Sequence, residues 1–308
     1  MEMALDKYLK LVKNERTVFF KSSFERAYQA FTELGFEKND ENYFVDNASM
    51  IVEKMRQQCW NDFLKEESDF TIYMMKKLIP SLSYSGLSAD DAIGKYLEAY
   101  PEHIYQLCLS NTQSRRSRAG KEFEHIIELI LIGAGVPIDS QGNIGKDCFV
   151  EKGLGKLVDT VSPGVTEFEI NKRNTVLISA KTTLRERWQE VPEEMGRTGA
   201  REMFLATLDE KVSDNVLNTL YEANIQLTTT AANKEANFPD NDRILTFEDL
   251  VRICKSNAET WRAYKYTVEQ ADQAKRLIDN QISKYTNNDF MKKAFTKRLN
   301  AYADLFFE

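Results

Sequence analysis

Histidine and paired cysteine, the residues that build most zinc sites, are scarce in this chain. Of 308 residues only two are histidines, His103 and His125, which argues against a histidine-based zinc site. The cysteines show no paired spacing, so we expect reduced, mostly buried thiols and a cytoplasmic setting. They are Cys59, Cys108, Cys148 and Cys254.

Long apolar runs and glycine-rich phosphate loops are also missing from the sequence. No stretch of about 18 apolar residues occurs, and the first residues lack the pattern typical of a secretory signal peptide. A Walker-type loop is absent, and Gly153-Leu-Gly155 is too short a pattern to support a nucleotide site. We therefore expect neither a membrane nor a nucleotide cofactor among the partners of this protein.

The chain lacks an excess of positive charge. It has 41 Lys and Arg against 48 Asp and Glu, a net charge of -7. Nonspecific binding of DNA depends on neutralising many phosphates, so this balance argues against a protein that coats DNA. With 42% hydrophobic and 11% aromatic residues, the chain can form one substantial domain with a helical elaboration, or two tightly packed domains.

The first third of the chain is rich in segments compatible with helices. A serine-rich break at residues 80–86, which contains one proline and one glycine, precedes Ser88-Ala-Asp-Asp91, a sequence typical of a helix start. We predict a helical N-terminal region over residues 1–110, with helices at 4–12, 23–34, 48–65, 70–79 and 89–98.

From residue 111 the pattern changes to alternating helix and strand. The order strand, helix, strand over residues 203–230 predicts a parallel strand pair with a right-handed crossover. For residues 111–308 we predict an α/β fold with a mixed central β-sheet flanked by helices. Strands are predicted at about 147–159, 165–171, 175–181, 203–208, 225–230 and 244–247, and helices at 119–133, 186–200, 213–223, 261–277 and 289–307.

An acid and an amine follow two of the predicted strands. Asp159 ends the short segment that begins at Gly155, and Lys181 ends the apolar run that begins at Val176. If these two strands pair, the carboxylate and the ammonium lie side by side. A carboxylate can hold a hard divalent cation, and a lysine can orient an attacking water and neutralise developing negative charge. This pair predicts hydrolysis of a phosphodiester.

The spacing resembles the PD-(D/E)xK nucleases, with one departure. Ser179 stands two residues before Lys181, where the usual second carboxylate would be. A subgroup of restriction endonucleases shows this variation and supplies the missing acid from the following helix, about a dozen residues beyond the lysine. The resemblance implies that Glu194 is this acid and that Asp159 and Glu194 hold the metal. Glu193 stays open as an alternative, because Pro192 leaves the local helix geometry undetermined.

The segment Lys181-Thr-Thr-Leu-Arg-Glu-Arg-Trp188 is similar to the corresponding segment of type II restriction endonucleases related to SsoII and EcoRII, which cut CCNGG or CCWGG. Arginine binds guanine O6 and N7 in the major groove, and glutamate accepts from cytosine N4. We therefore predict that Arg185, Glu186 and Arg187, together called the recognition segment, bind the bases of a CC/GG half-site.

A second part of the resemblance covers the basic segment from Ser114 to Glu124 and the apolar residues after it. Helical spacing places Phe123, Ile127 and Leu131 on one face. The family implies that Glu124 assists near the metal and that Gln113 reaches the minor groove. Plausible phosphate contacts, which position a protein without specifying sequence, are Arg115, Arg116, Arg118 and Lys121.

A third feature lies at Met55-Arg56-Gln-Gln-Cys-Trp60. On a helix Arg56 and Trp60, at i and i+4, project from one face. From the residues alone, Trp60 would be a half-buried packing residue covered by Arg56. The resemblance implies instead that both stack on bases flipped out of the centre of the recognition site, since indole and guanidinium planes pack well on nucleobases.

The resemblance as a whole implies a Mg²⁺-dependent, site-specific endonuclease of double-stranded DNA, cytoplasmic in a prokaryote. A nearly palindromic site implies a homodimer, with higher assembly on DNA possible in the family. CCNGG is the expected site, although N and A/T stay open at its centre. Three alternatives are a regulator on an inactive nuclease scaffold, a repair or mismatch nuclease, and a helical protein-interaction module whose charged segments are surface decoration.

Overall fold

A computed structural model describes residues 3–185 and 187–304, apart from the side chains of Ser81, Arg187, Ala303 and Asp304. The chain forms two compact units. The first comprises Met1–Ala30 and Gln57–Glu122, and the second Phe31–Arg56 and Phe123–Glu308. The boundary predicted at residue 110, between a helical region and an α/β region, stays a prediction, because the bounds of the two units describe packing alone.

The N-terminal third is helical, as predicted, but its helices are longer than the sequence suggested. The stretches predicted as two helices at 48–65 and 70–79 form one continuous helix. The basic segment after Ser114 lies inside another long helix, which begins well before residue 119. The helices are α1 Leu5–Phe19, α2 Ser23–Glu33, α3 Glu41–Asp46, α4 Ala48–Lys76, α5 Ala89–Ala99 and α6 Pro101–Gly133, with short 3₁₀ turns at Phe36–Lys38 and Ile79–Ser81.

The first unit has an aromatic core. Tyr8, Phe63, Phe70 and Tyr100 are almost fully buried together with Phe20. Aromatic side chains bury large apolar areas and favour tilted or offset ring contacts, and Phe20 contacts both Phe63 and Phe70 with ring centroids 5.6 and 5.1 Å apart. Burial of this kind holds the helices of the unit together.

The second unit contains a mixed six-stranded sheet in the order β1 to β6. The first three strands are antiparallel neighbours, and β3 to β6 run parallel. β3 and β4 are buried along nearly their whole length, which explains their continuous apolar sequences. The strands are β1 Asp139–Ser140, β2 Thr160–Ser162, β3 Val176–Lys181, β4 Met203–Thr207, β5 Ile225–Thr229 and β6 Leu245–Thr246.

Helices connect and cover these strands. Three of them lie in the connections from β3 to β4, from β4 to β5 and from β5 to β6, because parallel neighbours need crossover connections. The helices are α7 Gln141–Ile144, α8 Lys146–Glu151, α9 Val165–Ile170, α10 Val191–Thr198, α11 Asp214–Glu222, α12 Ala231–Asn237, α13 Phe247–Thr260, α14 Val268–Lys284 and α15 Asp289–Asp304, with 3₁₀ turns at Lys172–Asn174 and Arg187–Glu190. The mixed sheet, its flanking helices and the helical N-terminal region confirm the predicted fold class.

Two predicted strands are wrong. The segment 165–171 is α9, whose first amide, on Val165, donates to Asp139 Oδ2 at 2.9 Å. A carboxylate from β1 caps this helix. Three of its six residues are β-branched and its first four are buried, so nothing local in the sequence signals a helix. The segment 147–159 is mostly α8 and a loop, and the strand in this region begins only at Thr160.

Two further helix predictions need correction. The predicted helix at 261–277 is α14, which begins seven residues later at Val268, and α13 was not predicted at all. Both begin with a capping box, Thr246 with Asp249 and Thr267 with Gln270, and this sequence signal could have located them. The predicted helix at 186–200 divides into a 3₁₀ turn and α10.

The four cysteines are free thiols. Cys59 and Cys254 are buried, Cys148 is partly buried and Cys108 is exposed. Burial raises the pKa of Cys59 to about 12, so this thiol stays protonated at neutral pH.

Within the described residues no helix is long and apolar enough to cross a membrane.

Candidate active site and recognition segment

Asp159 and Lys181 form an ion pair at the ends of neighbouring strands. Lys181 Nζ donates to Asp159 Oδ2 at 3.0 Å, and both side chains are largely buried, at 13% and 8% exposure. The pairing follows from the sheet: β2 and β3 are antiparallel with Thr160 opposite Ile178, so the start of β2 lies beside the end of β3. The predicted juxtaposition of acid and amine is present.

Backbone hydrogen bonds fix the position of Asp159. Its amide donates to the Ile178 carbonyl at 2.9 Å, and its Oδ2 also accepts from the Ala180 amide at 2.7 Å. The Gln141 amide donates to the Asp159 carbonyl at 3.0 Å, while the Gln141 side chain donates to the carbonyls of Lys156 and Val158. Gln141 therefore holds the segment that leads into Asp159, although no sequence pattern singles this glutamine out.

Glu194 contacts the same segment from α10. Its Oε1 accepts from the amides of Lys156 and Leu157, the second at 3.3 Å. Gly155 makes this approach possible, because a Cβ there would overlap the Glu194 carboxylate and the backbone has φ +77°. Pro192 lies in the first turn of α10, where proline is tolerated, so the helix continues through both glutamates.

The two candidate glutamates differ in their surroundings. Glu194 is largely buried, whereas the Glu193 side chain is 70% exposed and pairs with Arg197. The loop before Asp159 is thus in contact with Glu194 and not with Glu193. This geometry favours Glu194 over Glu193 as the second acid.

The donor set is compatible with a hard cation that keeps waters in its coordination shell. In the described part of the chain, no cluster of three or more His, Cys, Asp or Glu is arranged to hold a metal. Mg²⁺ typically binds one or two protein carboxylates and completes its shell with water and phosphate oxygens, so Asp159 and Glu194 fit this ion. Ser179 Oγ is buried with no hydrogen-bond partner among the described residues.

The recognition segment begins beside a buried leucine. Leu184 is 3% exposed and packs in the core of the second unit, and its amide donates to Asp209 Oδ2. Arg185 follows with a positive φ of 42° and an exposed side chain. Glu186 lies outside the described residues, and Arg187 begins the 3₁₀ turn that ends at Glu190.

Asp209 was also missed by the sequence analysis. It follows β4 by two residues, at the edge where the parallel strands β3, β4 and β5 end. Ligands and site residues gather at the carboxyl ends of parallel strands, so its position after a buried strand was the available signal.

The apolar face predicted for α6 is present. Phe123, Ile127 and Leu131 are all buried, and Glu124 next to this face is partly buried. His125 Nδ1 lies 3.0 Å from Glu128 Oε2 in a buried pair, which supports a structural role for this histidine. The predicted role of Glu124 near the metal stays a prediction.

The basic residues of α6 have different environments. Arg115 donates through Nε to both oxygens of Glu67, at 3.0 and 2.8 Å, and this raises the pKa of its guanidinium. Arg118 donates to the Lys21 carbonyl at 2.7 Å and lies over the Phe20 ring. Arg116 and Lys121 are exposed, as is Gln113. Their roles as DNA contacts stay predictions.

Arg56 and Trp60 lie one turn apart on α4, and both are exposed. The Trp60 side chain is 40% exposed, stacks on Phe63 with ring centroids 6.0 Å apart, and has Arg115 about 6.0 Å from its ring centre. One face of the indole is therefore supported by the aromatic core of the first unit. An exposed, supported indole is suited to stacking on a planar ligand.

Comparison with known proteins gives the class of this fold and site. The family model described as EcoRII C terminal matches residues 92–251. The type II restriction enzyme SsoII of Shigella sonnei is 47% identical over 294 residues, which cover 96% of both chains.

Solved structures agree with this class. The structure of metal-depleted Ecl18kI in complex with uncleaved, modified DNA is 44% identical, with a TM-score of 0.90 over 97% of this chain and 100% of the other. A complex of PspGI with substrate DNA shares the fold, with a TM-score of 0.56 and 17% identity over 78% of this chain and 94% of the other.

The chain belongs to the type II restriction endonucleases of the SsoII and EcoRII-related group. It is therefore a DNA-binding hydrolase that cuts DNA site-specifically. This membership supports a restriction endonuclease over the helical interaction module. It confirms the family predicted from the octapeptide and from the spacing of Asp159 and Lys181.

Proposed function

We propose that this enzyme hydrolyses both strands of DNA at an interrupted CC/GG site, with CCNGG as the sequence, in a reaction that requires Mg²⁺. The observation that carries the proposal is the Asp159–Lys181 ion pair, 3.0 Å long, at the junction of β2 and β3. Membership of the family supports a DNA substrate, and a prokaryotic cytoplasm as the place of action.

Each residue of the site would have a distinct part. Asp159 and Glu194 would hold Mg²⁺, which when bound activates water and stabilises charge on the scissile phosphate. Lys181 would orient the attacking water and neutralise charge on the phosphate, and Glu124 would assist from nearby. The water oxygen bonds to phosphorus as the bond to the 3′ oxygen breaks, which leaves 5′-phosphate and 3′-hydroxyl ends.

Base recognition would come from the recognition segment. Arg185 and Arg187 would bind guanines, Glu186 would accept from cytosines, and Gln113 would contact the minor groove. Arg115, Arg116, Arg118 and Lys121 would contact phosphates. Because a nearly palindromic site is matched by two-fold protein symmetry, we propose a homodimer on DNA, which sedimentation velocity with a site-containing duplex would detect.

Digestion of a plasmid of known sequence tests the proposal. With Mg²⁺ we expect discrete fragments whose ends map to CCNGG, and without divalent metal no cleavage. A ladder that maps to another fixed sequence would overturn the proposed site. Cleavage confined to mismatched or damaged duplexes would favour a repair nuclease.

A substitution pair distinguishes the two glutamates of α10. Glu194→Gln keeps an oxygen for the Lys156 and Leu157 amides but removes the charge that holds the metal. We expect it to lower the single-turnover cleavage rate about 100-fold or more, since charge stabilisation by the metal is worth several kcal/mol. The matched Glu193→Gln variant, changed at a position 70% exposed, should cut at nearly the wild-type rate. The reverse order of effects would assign the ligand to Glu193.

Base flipping is tested at Trp60. Trp60→Ala should reduce the fluorescence change of a 2-aminopurine placed at the centre of the site, because stacking of a base on an aromatic ring is worth about 1–3 kcal/mol. Ile72→Ala, also on α4 and 49% exposed, serves as the control and should give the wild-type signal. A full 2-aminopurine signal in Trp60→Ala would exclude the indole from the flipped-base pocket.

A further inference from the structure

Two contacts fix the backbone at Leu184, the residue just before the recognition segment. The Leu184 side chain is almost fully buried in the core of the second unit, and the Leu184 amide donates to the Asp209 carboxylate. An amide bonded to a carboxylate makes a charge-assisted hydrogen bond, which is stronger than one between neutral groups. Leu184 is thus fixed by its side chain and by its backbone.

Asp209 is itself held by the ends of two strands. Its amide donates to Thr207 Oγ1 at 3.3 Å, and its carbonyl accepts from Asn233 Nδ2 at 2.9 Å. The same Asn233 amide group donates to Thr229 Oγ1 at 2.7 Å, at the end of β5. Thr207 lies in register with Lys181 on the neighbouring strand. One network of hydrogen bonds therefore connects the ends of β4 and β5 with the residue just before the recognition segment.

Arg185, the first residue of the recognition segment, has a backbone conformation that needs such support. Its φ of 42° lies in the left-handed region, which costs free energy for residues other than glycine and persists where the surroundings determine it. The preceding residue, Leu184, is the one whose amide donates to Asp209. The Arg185 side chain is exposed.

We propose that Asp209 is a positioning residue for base recognition: its carboxylate, through the Leu184 amide, sets the backbone conformation from which the Arg185 side chain extends. This inference rests on the proposed base contacts of the recognition segment. A bidentate contact to a base tolerates only small displacements, so loosening this anchor lowers discrimination between sites more than it lowers folding stability.

The test measures a specificity ratio. Single-turnover kcat/KM is measured on a duplex with the mapped cleavage site and on a duplex with one outer C:G pair replaced. For Asp209→Ala we expect the ratio of the two values to fall about tenfold or more, the factor for losing one hydrogen bond to a charged group. Asp209→Asn, which keeps an acceptor oxygen for Leu184, should restore most of the ratio.

A matched control separates positioning from charge. Glu210 is exposed and adjacent, so Glu210→Ala removes the same charge without touching Leu184, and it should keep the wild-type ratio. Loss of an acidic side chain near DNA by itself would strengthen binding to both duplexes equally. An equal change of the ratio in Asp209→Ala and Glu210→Ala would overturn the positioning role.

A second variant reaches the same network without changing the carboxylate. Asn233→Ala removes the amide group that contacts the Asp209 carbonyl, and it should lower the ratio roughly two- to tenfold, as expected for one neutral hydrogen bond. If Asp209→Ala does not fold, Asn233→Ala tests the positioning role of Asp209 by itself. Wild-type ratios in Asn233→Ala and in any folded Asp209→Ala would contradict the inference.

Arg185→Ala distinguishes failure of the positioning role of Asp209 from failure of the proposed base contact on which that role rests. If Arg185→Ala loses discrimination and Asp209→Ala does not, the positioning role alone is wrong. If Arg185→Ala keeps the wild-type ratio, the proposed base contact is wrong, and the role of Asp209 falls with it.

Discussion

Replacing Asp159 by asparagine is expected to lower the single-turnover cleavage rate by at least about 1,000-fold while DNA binding is retained. The asparagine can still accept from the Ala180 amide, so the local backbone contact survives. What is lost is the negative charge that holds the metal, and several kcal/mol of transition-state stabilisation correspond to this factor. Without divalent metal the variant should bind DNA at least as tightly as the wild type, because one charge that repels phosphate is gone.

Single-turnover cleavage with Mg²⁺ measures the expected loss of rate. Fluorescence anisotropy without metal measures DNA binding. Asp240→Asn, at an exposed position, is the matched control and should cut at the wild-type rate. Melting curves of both variants verify folding. Cleavage by Asp159→Asn within tenfold of the wild-type rate would remove Asp159 from the metal site.

The second large effect is expected on stability, at Arg298 in α15. Its guanidinium donates to Asp139 Oδ1 at 2.7 Å and to the carbonyls of Ile138 and Pro163 at 2.6 and 3.0 Å. Burial alone would lower the pKa of Arg298, but the charges of Asp139 and Glu167 raise it above its ordinary value, so the group stays charged. It is almost fully buried, as is Asp139.

The contacts of Asp139 show which elements the Arg298–Asp139 pair connects. Asp139 also accepts from Gln281 of α14 at 2.9 Å and caps α9 through Val165. Asp139 lies in β1, which pairs with β2 directly after Asp159. The buried pair therefore joins the C-terminal helices to the strands beside Asp159, the proposed catalytic acid.

Arg298→Leu should lower the free energy of unfolding by about 3–5 kcal/mol, because it leaves a buried carboxylate without its partner. The corresponding fall in Tm is roughly 10 °C for a unit of this size. Arg262→Leu removes an exposed pair with Glu259, 2.8 Å long, and should change the free energy by less than about 1 kcal/mol. Thermal and urea unfolding measure both. Equal effects of the two substitutions would mean that the buried pair adds no stability of its own.

The strand that ends at Lys181 and the parallel strands beyond it, β4 and β5, were predictable from the sequence. Val176–Lys181 and Met203–Thr207 are short, mainly apolar runs, as expected for strands buried on both faces, and Ile225–Thr229 is rich in β-branched residues. The spacing and the family resemblance indicate that Asp159 and Lys181 lie close together, but Asp159 directly precedes β2, whereas the sequence pattern predicts that it ends a strand. No comparable signal marked the antiparallel start of the sheet at Asp139–Ser140, which is only two residues long.

The errors arise where tertiary contacts decide the local structure. Three of the six residues of Val165–Ile170 are β-branched, which favours a strand, but Asp139 caps the segment as a helix. Arg298 and Asp139 are 159 positions apart, so nothing near either residue indicates that they pair. The same holds for Asp209, whose contact with Leu184 depends on how β3 and β4 align.

The central claim is that Asp159 and Glu194 hold a divalent metal beside Lys181. Crystals of the wild-type enzyme with an uncleaved site-containing duplex and Ca²⁺ test it most directly through the anomalous signal of calcium. We expect a peak about 2.3–2.6 Å from a carboxylate oxygen of each acid and next to the scissile phosphate. A calcium peak bound by other side chains, with Asp159 still paired only to Lys181, would contradict it.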